Sequence, residues 1–371
     1  MGVPISHDCV IVGGGLSGLY AAWRLEQAGV DYRLLEARPR LGGRIDVETR
    51  VRADGGSVRY DLGPAWVWPV LQPRMAQLVA ALDVPLFGQQ VAGAGLYEDM
   101  TTNGPLRLDT PSPHGESFRI ANGALSLIEA LAGRLDASRV QRDCRVTGLA
   151  DRGGRVELRM RSGGQAQRMA ARRVILAMPP RLVAQDLVFE PALPGPLHAL
   201  LRDTPTWMAG HAKFLAFYER PFWREQGLSG EVFSRLGPLT EIYDASPGEG
   251  GPYALFGFYG LPANTRRELG TAALATQTLA QLARLFGPQA EDLQDWCIRD
   301  WSEDPLTSTK DDRVPPAGHP AYGLPEAQRV IWDGRLIFSG TETAAENGGY
   351  LEGALEAAEA AVTDMCDVKA F

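Results

Sequence analysis

The stretch Cys9-Val10-Ile11-Val12-Gly13-Gly14-Gly15-Leu16-Ser17-Gly18 decides the fold. Its apolar start reads as a buried strand, and the glycines open a helical pattern carried by Leu19, Ala22 and Trp23 as far as Ala28. Gly29 then turns the chain into a second strand, residues 30–35, which ends on Glu36. Strand, glycine turn, helix and a second strand closed by an acid make a βαβ unit with a dinucleotide fingerprint. Gly13 permits the tight turn, Gly15 lets the backbone approach a pyrophosphate, and Gly18 allows the helix to pack closely on the strand. The helix N-terminus offers unpaired N–H groups to the phosphates. Glu36, 23 residues beyond Gly13, is placed to accept hydrogen bonds from both ribose hydroxyls. Glycine supplies 42 of the 371 residues, so the motif gains its weight from the strand and helix around it.

Those glycines, with 26 prolines, show no three-residue period and no low-complexity tract, which excludes collagen-like and linker readings. Hydrophobic residues at 45% and charged residues at 22% are a globular balance, and the length suits two or three domains. A net charge of −8 supplies no positive field for nucleic acid. Cys9, Cys144, Cys297 and Cys366 are scattered without metal or CxxC spacing and read as buried thiols in a reducing compartment. Residues 1–8 lack the segments of a signal peptide, and no run of about 18 apolar residues occurs. The expectation is a cytoplasmic protein with no membrane span and no metal. His7, His114, His198, His211 and His319 show no ligand spacing, and no Gly-x-Ser-x-Gly elbow supports a serine nucleophile.

Residues 75–82 and 124–135 carry helical spacing. Residues 144–149, 155–161 and 165–170 read as three short strands turned at Gly153-Gly154 and Gly163-Gly164, and residues 173–178 as a further strand stopped by Pro179-Pro180. Residues 212–218 and 253–259 form aromatic-rich strands, a long helix spans residues 271–286, and strand 336–338 leads through a glycine turn into a last helix from Leu351. Lys213 sits mid-strand between Ala212, Phe214 and Leu215, where an ammonium is costly to desolvate. The alternative is a strand-edge lysine reaching solvent.

Arg40-Leu41-Gly42-Gly43-Arg44 follows Glu36 closely, and two arginines flanking a glycine pair can clamp phosphates, which suggests FAD rather than NAD. This series continues through Asp61-Leu62-Gly63, the strand from Lys213 to Tyr218 with Pro221-Phe222-Trp223, Ser339-Gly340-Thr341-Glu342-Thr343-Ala344, and Gly349-Tyr350-Leu351-Glu352-Gly353-Ala354. In that order, over the whole chain, it resembles the flavin-containing amine oxidase (monoamine oxidase) family. The resemblance implies an α/β (α+β) fold, a glutathione-reductase-like Rossmann FAD domain interleaved with a smaller substrate domain of mixed sheet and helices. The FAD domain would comprise residues 1–75, 118–203 and 328–371, and the substrate domain residues 76–117 and 204–327.

The resemblance also implies non-covalent FAD, held by Gly13, Gly15, Ser17, Gly18, Glu36, Ala37, Arg38, Gly43, Arg44, Leu62, Gly63, Gly340, Gly349 and Leu351. Val146 would meet the adenine through its backbone and Glu342 would lie near the ribityl chain. Tyr350 would form one wall of a substrate cage, and Lys213 would hold a water against flavin N5. The last helix would aim its dipole at the pyrimidine end. Residues 302–311 contain neither the family's second cage aromatic nor its tethering cysteine, so Trp66, Trp68 or Trp301 would have to supply the second wall. Pro64 stiffens the loop after Gly63. The segments that cap the site are short, which leaves a more open pocket or one completed by the second subunit of a homodimer. The implied activity is hydride transfer from the α-carbon of a neutral amine to flavin N5, imine hydrolysis, and reoxidation by O2 giving H2O2. The alternatives are a flavin-dependent desaturase or dehydrogenase of the same superfamily using another acceptor, and an FAD-stabilised binding protein without turnover.

Overall fold

The apolar run at Cys9–Val12 becomes the middle of a nine-stranded sheet in the computed structural model, which describes residues 5–52 and 54–367. Strand Ile5–Val12 is flanked in parallel by Tyr32–Leu35 and by Gln165–Leu176. On its other side Gln165–Leu176 pairs first with Val156–Ser162 and then, in parallel, with Leu336–Phe338. Two strands were expected here, and one strand of 12 residues is found. Neither glycine nor proline interrupts it, so the chain changes neighbours without breaking. Cys144–Asp151, Val188–Glu190, Val140–Gln141 and Val330–Ile331 complete the sheet.

The register of the parallel strands places the ligand edge. Val12 pairs with both Leu35 and Leu176, and Leu176 pairs with Phe338, so four strands stop at one level. Gly13, Glu36, Ala177 and Ser339 emerge there side by side, at the carboxyl ends where open parallel sheets take their ligands.

Helices Leu16–Gln27, Leu125–Ala132 and Leu351–Asp367 pack on this sheet through fully buried Leu19, Leu25, Leu127 and Leu355. Helix Pro73–Ala81 joins the same core through Met75, Leu78 and Val79. The first domain boundary, expected at residue 75, therefore falls inside a helix whose apolar face is covered by the first unit. Glu352 fastens that helix. Its carboxylate has no exposed surface and accepts from the Arg74 amide at 3.0 Å and the Met75 amide at 2.9 Å, so one helix caps the start of another.

The second sheet has seven strands in the order Asp295–Asp300, Ala212–Tyr218, Tyr253–Tyr259, Leu239–Asp244, Leu228–Ser234, Ala94–Glu98 and Leu106–Leu108. Strand Ala212–Tyr218 is buried at every position, with alternate residues serving different cores. Phe214, Ala216 and Tyr218 face the cluster under helix Ala263–Phe286, while Leu215 and Phe217 face Val58, Tyr60 and Leu62. The two-residue period puts Lys213 on the second side, toward the first sheet. The span Ala263–Phe286 is two helices meeting at a kink at Gly270, whose φ is +74°, so the second begins at the expected residue 271 and the shorter one before it was not anticipated. Among the described residues no helix is long and apolar enough to cross a membrane.

Replacing Glu352 by Ala should lower unfolding free energy by about 1–3 kcal/mol, because two buried N–H groups lose their acceptor. Glu352→Gln, which keeps an amide oxygen, should lose less. Equal denaturation midpoints for the parent and both variants would contradict this capping role.

Candidate active site

A cavity of about 440 Å³ lies between the ligand edge of the first sheet and the second sheet. Its floor is backbone. Gly13 adopts φ +111°, and a Cβ there would collide with the Ala177 carbonyl oxygen. The Gly14 amide donates to Glu36 Oε2 at 2.6 Å and the Arg38 amide to Oε1 at 2.7 Å, so one carboxylate ties two strand ends together. The Gly42 amide donates to the Gly14 carbonyl at 2.8 Å. A Cβ on Gly43 would stand 3.3 Å from the Gly15 Cα, so the two glycine loops lie backbone against backbone.

Gly15 is different. Its φ of −78° suits any residue, and a Cβ there would find no neighbour closer than 3.9 Å. Helix Leu16–Gln27 begins behind it with no side-chain cap and no acid in its first turn. An open cradle facing uncapped N–H groups fits the diphosphate of FAD.

The expected cofactor residues all line the cavity except Gly18 and Glu342. Gly18 lies beneath, where a Cβ would strike the Gly13 carbonyl. Glu342 is fully buried behind Arg44, whose guanidinium donates to it at 2.6 and 3.2 Å. The two arginines expected to clamp phosphates part company. Arg44 lines the cavity, whereas Arg40 turns into its own loop, donating to the carbonyls of Gly43 and Ile45 and to Asp46 at 2.9–3.1 Å. Arg38 lines the cavity, but its guanidinium is engaged by Asp304 through two bonds of 2.9 Å.

Lys213 is 2% exposed and sits between paired strands, so it is neither an edge residue nor solvent-reaching. Its ammonium donates to the Asp61 carbonyl at 3.0 Å and the Gly63 carbonyl at 2.7 Å, over the faces of Phe256 and Phe258. The Trp301 indole N–H donates to the carbonyl between them, Leu62, at 3.1 Å. Three successive carbonyls of one loop are thus held by side chains of the other layer. Burial pulls the Lys213 ammonium down to about 7, against an opposing pull from Asp61.

Trp66 and Trp68 line the cavity, with Trp66 stacked on His114 at 4.2 Å and edge-on to Tyr243. Trp301 lies under the Arg299 guanidinium at 4.1 Å. All three expected tryptophans line the same cavity as Tyr350, and none packs directly on its ring. Its aromatic neighbours are His319 at 4.6 Å and Trp207 at 6.4 Å, and Trp207 also lines the cavity. Trp207, Met208 and His211 were not anticipated as wall residues. Their one local signal is the Trp-Met-Ala-Gly-His run that feeds the Lys213 strand. Burial, then the Arg266 charge, holds His211 below the usual imidazole range. Among the described residues no cluster of His, Cys, Asp and Glu is arranged to hold a metal.

Comparison with known proteins adds a lineage. A family described as flavin containing amine oxidoreductase matches residues 87–366, and an NAD(P)-binding Rossmann-like domain matches residues 11–82. The flavin-containing amine oxidase of Danio rerio is 25% identical, covering 97% of this chain and 86% of that protein. The counterpart of Oncorhynchus mykiss is 27% identical over the same shares, 97% and 86%. The fold is similar to that of putrescine oxidase bound to putrescine, with a TM-score of 0.80, 22% identity and coverage of 98% of this chain and 100% of that one. It is also similar to cyclohexylamine oxidase from Brevibacterium oxydans, with a TM-score of 0.79, 20% identity and coverage of 98% and 99%.

Two predictions come from this geometry. Gly15→Val costs the backbone little, yet it fills the cradle where the diphosphate approaches. FAD affinity should fall at least about 100-fold with the melting temperature of the FAD-free protein unchanged. Retention of flavin colour by the purified variant would refute the cradle. The second concerns Lys213. An unfolded lysine titrates near 10.4, so between about pH 7 and 10 the unfolded chain holds a proton that the folded chain has released. Stability rises with pH across that window, and below it the full cost of burial, on the order of 5 kcal/mol, is felt. In FAD-free protein, the parent should therefore gain stability on Lys213→Met as pH rises from 7 to 10. The two carbonyls left unpaired in the variant add only a constant offset, so a gap that ignores pH would refute the shift.

Proposed function

The chain belongs to the flavin containing amine oxidoreductase family, and from that premise we propose that it oxidises small neutral amines and passes the electrons to O2. It is an FAD-dependent enzyme acting on carbon–nitrogen bonds. Bound FAD would supply a hydride acceptor for the α-carbon of the amine and a route for the two electrons to O2, giving H2O2. The imine released hydrolyses in water.

The protein's own contribution is binding, orientation and charge. Glu36, the glycine loops and the uncapped helix N-terminus hold the dinucleotide end. Cys144 is the one cysteine on the cavity wall among the described residues. Its amide bonds to the Glu36 carbonyl at 2.9 Å. That places the thiol at the adenosine end, which supports non-covalent FAD. Tyr350 and Trp207 supply apolar aromatic surface that favours an uncharged amine over its ammonium form. Arg44 is already paired with Glu342 and Arg38 with Asp304, so neither guanidinium is free to take a substrate carboxylate.

Lys213 carries the oxidase reading over the dehydrogenase one. In its protonated form the buried Lys213 has two of its three N–H groups fixed on Asp61 and Gly63 and one left to direct into the cavity, for a water or for reduced oxygen. Lys213→Met should slow reoxidation of the reduced enzyme by O2 roughly 100-fold, the scale of one lost electrostatic donor, while anaerobic reduction by an amine changes far less. Stopped-flow mixing with O2 measures it. Equal reoxidation in variant and parent would transfer the assignment to another electron acceptor.

A further inference from the structure

Tyr350 forms part of the cavity wall, yet little fixes its ring. The residue is 42% exposed, and its hydrogen bonds among the described residues all involve its main chain: its amide donates to the Asn347 carbonyl, and its carbonyl accepts from the Thr341 hydroxyl and the Ala354 amide. It follows Gly348-Gly349, and Gly349 has a φ of +85°, backbone with the least intrinsic restraint. A substrate wall has to be held in orientation before the substrate arrives.

The ring that supplies this restraint comes from a distant segment. His319 lies flat on Tyr350, with centroids 4.6 Å apart and an interplanar angle of 2°. The same imidazole meets Trp207 edge-on at 4.6 Å and Tyr322 edge-on at 5.4 Å. It is the ring common to all three contacts, although it does not itself line the cavity. Its segment is anchored. The Tyr322 hydroxyl donates to the Pro205 carbonyl at 2.9 Å, and the Gly323 and Leu324 amides donate to the Glu342 and Thr343 carbonyls at 3.2 Å. Tyr322 and Trp207 pack on the backbone ahead of Tyr350, where a Cβ on Gly349 would come within 2.9 Å of Trp207 Cβ and 3.1 Å of Tyr322 Cε2.

We propose that His319 is the positioning residue of the Tyr350 wall, acting on aromatic amines through the stacked ring without touching them. The proposal rests on the amine-oxidising reading of the cavity. It assigns a specificity role to a residue outside every cofactor motif.

The test uses FAD-loaded His319→Ala and His319→Phe, with benzylamine and n-butylamine as probes. His319→Ala should raise KM for benzylamine about threefold to tenfold, the worth of one stacked aromatic pair. kcat, the flavin spectrum and KM for n-butylamine should stay nearly constant. His319→Phe keeps a flat ring and should restore the parental KM. An unchanged KM in His319→Ala overturns the proposal, and so does a His319→Phe enzyme that behaves like His319→Ala. Crystal structures of the two variants give a readout independent of turnover. Tyr350 should hold its orientation in His319→Phe and lose it in His319→Ala, and an unmoved ring in the alanine variant overturns the proposal. A parent enzyme that oxidises no amine overturns the functional reading instead, and leaves the structural comparison to decide the role of His319.

Discussion

Four parallel strands that stop at the same level are the constraint on which the molecule depends. Val12, Leu35, Leu176 and Phe338 are locked side by side by their hydrogen-bond register. Whatever follows them must share a small area above the sheet. Glycine at 13 lets the chain turn under the Ala177 carbonyl, and the Glu36 carboxylate pins the first turn to the end of the second strand. The cradle is a by-product of this crowding, because backbone stacked on backbone leaves room that side chains would fill. The uncapped helix N-terminus then gives that room its preference for anions.

Beside the apolar cluster of Leu215 and Phe217 against Val58, Tyr60 and Leu62, the second layer meets the first through polar contacts. Lys213 and Trp301 reach across and take the three carbonyls of Asp61, Leu62 and Gly63. A neutral side chain at position 213 would avoid the burial of an ammonium, a cost that the two carbonyl bonds and the pull of Asp61 offset only in part. The same atoms brace the loop that lines the cavity at Leu62 and Gly63.

Much of this was legible in the sequence because the deciding signals are local. A strand, a glycine turn, a helix and an acid lie within residues 9–36, and the apolar neighbours along residues 212–218 already set Lys213 apart. What escaped was set by distant partners. Arg40 and Arg44 look alike beside the glycine pair, yet Arg40 finds Asp46 six residues away and Arg44 finds Glu342 across the molecule. Trp207 and His319 gave no periodic signal, since they meet Tyr350 only after three separate segments fold together. The strand at 165–176 was read as two because a hairpin and a parallel pairing look like separate elements until they prove to share one strand. The helix at 73–81 was cut by a boundary because its covering partner lies at 351–367.

The tie between Glu352 and the amides of Arg74 and Met75 bears on the order in which the protein can be made. The cofactor floor is specified by residues 9–36, but Leu336–Phe338, Gly340 and the helix that carries Glu352 are made about 300 residues later. Until then the first sheet lacks one of its parallel strands, helix 73–81 has no cap, and Gly13 and Glu36 face a half-built wall. The cavity that fits FAD is therefore complete only once helix Leu351–Asp367 has docked, because Gly13, Glu36, Gly340 and Leu351 line it together.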